Sequence, residues 1–103
     1  MAGRKRRVVW SDSSQRALDE AIEYIAQDSA EGARAVLEQA LAAASGLATL
    51  SERGRVVPEL KDPAIREVFV FRYRLLYEIA PTEVRILSLL HGARDFAKWR
   101  KGE

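Results

Sequence analysis

The chain has 103 residues, 48% of them apolar and 31% charged, with 17 basic against 15 acidic side chains and a net charge of +2. That is one domain, 1–103, of ordinary globular balance, too evenly charged for its charge alone to announce nucleic-acid binding. It has no cysteine, which excludes disulfides and thiolate metal sites. No apolar run approaches the roughly 18 residues that span a bilayer, and the start MAGRKRRVVW lacks the apolar core of a signal peptide. The chain therefore reads as cytoplasmic and free of membrane.

Arg4, Lys5, Arg6 and Arg7 precede Val8, Val9 and Trp10, a short first strand. SDSS at 11–14 supplies N-cap oxygens. Leu18, Ala21, Ile22, Ile25 and Ala26 then recur at helical spacing, with Arg16, Asp19, Glu20 and Glu23 on the opposite face. Asp28-Ser29 breaks the pattern and caps a second helix, whose stripe runs Ala33, Val36, Leu37, Ala40, Leu41, Ala44, Leu47 and Ala48. So short a break predicts an antiparallel helical hairpin.

From Ser51 to Pro63, Gly54, Pro58 and Pro63 punctuate a loop. Three strands follow: Ile65 to Val70, Tyr73 to Ala80, and Val84 to His91. The last is apolar enough to lie centrally in the sheet. The turn at Phe71-Arg72 lacks the Gly or Asn that a tight hairpin favours, so a longer loop or a bulge is expected there. RDFAKWRKGE closes the chain as a basic tail with helical character. The fold class is α+β: an N-terminal strand, an antiparallel two-helix hairpin, then a three-stranded antiparallel meander with a short C-terminal tail.

Residues 66 to 77, REVFVFRYRLLY, thread three arginines and a glutamate through an apolar run. By the period-two rule Tyr73, Leu75, Tyr77 and Ile79 share one face, and Arg74, Leu76 and Glu78 the other. A helical hairpin covers one face only. Arg66 and Arg74 are thus expected on the uncovered side, either presented to a ligand or paired with Glu67 or Glu78 across strands. His91, the lone histidine, is either a base near neutral pH or a structural residue at a strand end. No Ser/His/Asp set, phosphate loop or metal-ligand spacing assembles, so neither a metal nor a cofactor is expected. Phe96 is expected to fold back on the helices; Trp99 has no assigned side.

Four segments, VVWSDSSQRALDEAIEYIA (8–26), GRVVPEL (54–60), IREVFVFRYRLLYEI (65–79) and ILSLLHGARD (86–95), resemble in order and spacing the RelE/ParE superfamily of bacterial type II toxins, and the ParE branch more closely. The resemblance implies the same small α+β fold and a toxin that inhibits DNA gyrase. It implies neutralisation by a ParD-like antitoxin, which alone touches operator DNA, in a toxin–antitoxin hetero-oligomer. Target contacts are expected from Arg55, Arg66, Arg74, His91, Arg94, Asp95 and Trp99. The antitoxin is expected along Leu18, Ile22, Ile25, Val36, Leu37 and Leu41. The RelE branch implies the alternative, a ribosome-dependent mRNA endoribonuclease, for which Glu59, Arg66, Arg74 and Arg94 are the candidate catalytic residues. The expectation leans away from an enzyme, because the Arg94-Asp95-Phe96 stretch carries no imidazole or phenol.

Overall fold

The computed structural model describes residues 5–102; Arg4 of the basic cluster lies outside the described residues. Five strands form one sheet in the order β1-β5-β4-β3-β2. They are β1 (Arg7–Trp10), β2 (Arg55–Val56), β3 (Ile65–Val70), β4 (Tyr73–Ile79) and β5 (Glu83–Leu90). Three helices accompany them: α1 (Asp12–Ala26), α2 (Ala30–Gly46) and α3 (Gly92–Arg100). β1 runs parallel to β5, and every other neighbouring pair is antiparallel.

Both helix starts are set by serine. Ser11 Oγ accepts the Ser14 N–H at 3.1 Å and opens α1, and Ser29 Oγ accepts the Gly32 N–H at 2.9 Å and opens α2, each answering an otherwise unpaired first-turn amide. The hairpin packs on one face of the sheet. Leu18, Val36, Ala40, Ala44 and Leu47 meet Val70, Leu75, Tyr77, Val84, Ile86 and Leu89 in the main core.

The tail is a helix, α3, in keeping with its helical character. The architecture differs from the expected meander in two respects. β2, two residues inside the 51–63 loop, adds a fifth strand at the edge. The second sheet face is not bare: Val57, Leu76, Leu90 and Phe96 form a smaller core there, with Leu60, Ile65, Leu87 and Trp99 packed around it. Apolar residues at 57, 60, 96 and 99, each pair three apart, carry this second cover.

β5 is an interior strand, between β1 and β4, and it is bulged. Leu76 pairs with Ser88 but Tyr77 with Ile86, leaving Leu87 extra. The insertion moves the core-facing residues from Val84 and Ile86 to Leu89, a spacing of three that strict alternation forbids. At the β3–β4 turn Val70 pairs with Tyr73, so the loop is the two residues Phe71 and Arg72. Phe71 takes φ 55 there, the left-handed conformation that usually calls for glycine. The expected longer loop is absent; a phenylalanine accepts the strained position instead.

Candidate functional site

Register decides which arginines share a face. Directly opposed residues in an antiparallel pair project to the same side. Arg66 lies opposite Tyr77, whereas Phe69 lies opposite Arg74 and Glu67 opposite Leu76. Arg66 therefore belongs to the hairpin side and Arg74 to the other, which corrects the expectation that the two share an uncovered face. Arg66 is a clasp. Its Nε donates to the Pro63 carbonyl at 2.9 Å and its NH1 to the Gly54 carbonyl at 3.1 Å, tying the edge loop to β3.

On the second face, four charged side chains meet. Glu67 has no exposed side-chain surface, and its two oxygens accept Arg55 Nε and Arg74 Nε, each at 2.6 Å. Arg74 turns its remaining edge to Glu59: NH1 donates to one oxygen at 3.0 Å and NH2 to the other at 2.7 Å. The Phe96 ring lies 4.9 Å from Arg74 Cζ, and the Phe69 ring 5.3 Å from Arg55 Cζ, both within cation–π range. The Arg74 hydrogen bonds hold the Glu59 carboxyl below its usual range. Those from Glu59 and then Glu67 push the Arg74 guanidinium further up, against the opposing effect of its burial. Of the two readings of the threaded arginines, the cross-strand ion pair is realised for Arg74 with Glu67. Glu78 instead meets Arg85 at 3.3 Å.

A backbone bracket holds this cluster in place. Tyr77, wholly buried, accepts the Gly54 N–H at 3.0 Å and donates to the Ser51 carbonyl at 2.7 Å. A Cβ on Gly54 would stand 2.6 Å from both the Tyr77 hydroxyl and the Glu67 carbonyl oxygen, so only glycine lets β2 approach β3 here. Burial pushes the Tyr77 phenol up, although the Gly54 hydrogen bond opposes this.

His91, Arg94, Asp95 and Trp99 gather elsewhere. They line a groove of about 940 Å³ between α1 and α3, floored by Leu87, Leu89 and Leu90. The His91 ring lies 4.9 Å from that of Tyr73, whose phenol is pushed up by burial and then by the Asp95 charge. Asp95 accepts the His91 backbone N–H at 3.1 Å and so caps α3. Gly92, at φ +88, starts the helix directly after β5. Sequence reading missed the opposite wall, Arg16, Glu20 and Tyr24 of α1. Tyr24, four residues after Glu20 and 70% exposed beside it in the groove, is the signal: an aromatic side chain among charged ones.

The expected antitoxin stripe divides by depth. Leu18 and Val36 are core residues, Ile22, Ile25 and Leu37 pack partly against that core, and Leu41 is exposed. Leu18 and Leu41 also border a hollow of about 230 Å³ with Trp10, Gln15 and Asp19.

Chemically, the Arg55–Glu67–Arg74–Glu59 cluster is suited to binding and holding oxyanions through guanidinium forks. General acid–base transfer needs a base within hydrogen-bond reach of the reacting hydroxyl. The one imidazole sits in the other group, tilted against the Tyr73 ring. Among the described residues no three His, Asp or Glu side chains converge as metal ligands, and no helix is long and apolar enough to cross a membrane.

Comparison with known proteins agrees with this architecture. A family model described as "ParE toxin of type II toxin-antitoxin system, parDE" matches residues 8–96. A solved structure titled "Chromosomal ParDE TA system from P. aeruginosa" superposes with a TM-score of 0.69 at 15% identity, covering 86% of this chain and 98% of that one. No curated protein matches.

Proposed function

The chain belongs to the ParE toxin family of type II toxin–antitoxin systems, and from that membership we propose that it inhibits DNA gyrase and is neutralised by direct binding of a ParD-like antitoxin. The observation that carries the choice of inhibitor over nuclease is the placement of the one imidazole away from the arginine cluster. Cleavage of RNA by its 2′-hydroxyl needs a cation for the phosphate and a base beside it. Here His91 lies against Tyr73, while the two carboxylates beside Arg74, Glu59 and Glu67, are held in ion pairs with it. The endoribonuclease alternative draws its support from the Glu59–Arg74 contact, which joins two of its four candidate residues.

An inhibitor acts by surface, and two surfaces suit the two partners. The groove walled by His91, Arg94, Asp95 and Trp99, with Arg16 and Lys98 adding positive charge, is our candidate for the target. The apolar stripe from Ile22 and Ile25 to Leu37 and Leu41 is our candidate for an antitoxin helix laid in a groove. The working form is a cytoplasmic toxin–antitoxin hetero-oligomer, with operator DNA contacted through the antitoxin. Inducible expression in a bacterium tests the proposal. Growth arrest with chromosomal DNA breaks, relieved by the co-expressed antitoxin, supports it. Arrest with new mRNA 5′ ends and intact DNA transfers the assignment to the nuclease. Unaffected growth removes toxicity altogether.

A further inference from the structure

The two carboxylates on Arg74 differ in kind. Glu67 lies within β3, has no exposed side-chain surface, and is shared with Arg55; it is part of the framework. Glu59 sits in the loop between β2 and β3, with 36% of its side chain exposed, and both its oxygens rest on NH1 and NH2 of Arg74. The guanidinium plane does not depend on Glu59, because Glu67 at Nε and the Phe96 ring at 4.9 Å already fix it. A rigid, planar two-donor edge is thus occupied by a loop carboxylate that water already reaches.

Charge points the same way. Without Glu59, two guanidinium groups would surround the single carboxylate of Glu67, leaving one uncompensated positive charge in a partly desolvated place. Such a fork takes planar two-oxygen groups with strong preference. Opposite Arg74 on β3, Phe69 is 58% exposed, an apolar border for whatever supplies the oxyanion.

We infer that Glu59 is a placeholder in cis, and that an acidic side chain from an extended, partly apolar peptide segment of a protein partner replaces it on Arg74. The present occupant sets the ligand class: a carboxylate already satisfies the fork with both oxygens. The exposed Phe69 ring favours a peptide over a free anion. The inference is separate from the gyrase reading, since it concerns which chemical group Arg74 accepts and not which macromolecule is inhibited.

The test uses the full chain as wild type, Glu59→Gln, Glu59→Ala and the double variant Glu59→Gln/Arg74→Lys. Each is titrated at low salt with a labelled short polyglutamate peptide and, in parallel, a short oligothymidylate. Emptying the fork is expected to tighten peptide binding roughly tenfold in both single variants, the scale of one charge-assisted contact. Arg74→Lys is expected to erase the gain, because a lysine presents no fork. Glu52→Gln, which removes an equal charge from a residue with no contact to Arg74, is expected to leave binding unchanged. Equal peptide affinity in wild type and both Glu59 variants overturns the inference. So does a gain confined to the oligonucleotide, or one reproduced by Glu52→Gln.

Discussion

Glu67→Gln probes the framework of the arginine cluster most sharply. The carboxylate has no exposed side-chain surface and accepts two Nε–H donors at 2.6 Å. An isosteric amide has one acceptor oxygen, so its NH2 must face one of the two guanidiniums, donor against donor. Breaking a buried ion pair from one side costs roughly 3–5 kcal/mol. Two features of the site lower that. Arg55 is 56% exposed and regains water, and Arg74 keeps Glu59. The expected loss is about 2–3 kcal/mol. For 103 residues the unfolding entropy is roughly 0.2 kcal/mol/K, so the midpoint should fall by about 10–15 °C. Urea unfolding followed by circular dichroism, fitted for midpoint and slope, gives the free energy directly. A loss below about 0.5 kcal/mol at unchanged slope would refute the reasoning, because surface substitutions give as much.

Three further outcomes follow from the same geometry. Tyr77→Phe strands the Gly54 N–H and the Ser51 carbonyl in a dry site, for an expected loss of about 2–4 kcal/mol in urea unfolding. Phe71→Gly relieves a φ of 55 at an exposed turn and should stabilise by about 0.5–1 kcal/mol in the same experiment. The folded state holds Glu59 below its ordinary value of 4.5, chiefly through Arg74. Its contribution is therefore full above that value and disappears as the pH falls through the lower folded one. Urea midpoints taken from about pH 5 down to about pH 3 should accordingly fall less steeply in Glu59→Gln than in wild type.

The fold was largely legible because its main core is written periodically. The stripe from Ala33 to Leu47 and the alternation of Tyr73, Leu75, Tyr77 and Ile79 each specify one buried face, and Ser11 and Ser29 mark the two helix starts. β2 was illegible because two residues carry no periodicity, and a glycine makes that pairing through a close approach that composition does not reveal. The Leu87 bulge was hidden because a continuous apolar run reads alike with or without an inserted residue.

The site was half legible. Arginines and glutamates in an apolar run do signal pairing, and Arg74 with Glu67 is such a pair. That Arg66 stands on the opposite face from Arg74 was open to reading, since positions 66 and 77 must oppose one another across a two-residue turn at 71–72. The expectation of a longer loop concealed it. The separation of His91 and Arg94 from Arg55 and Arg74 was not readable, because it depends on α3 crossing the second sheet face. That crossing also bears on deletions. Phe96 belongs to the smaller core, so removing the tail from Arg94 onward empties part of that core, and substitutions such as Arg94→Ala separate recognition from folding more cleanly.

The proposed inhibition of gyrase is tested by ATP-dependent supercoiling of a relaxed plasmid with purified gyrase, the folded chain being titrated in the absence of antitoxin. Inhibition shows as loss of supercoiling with accumulation of cleaved plasmid, reversed when the antitoxin is added. Full supercoiling at every concentration of a chain with native circular dichroism would contradict the proposal.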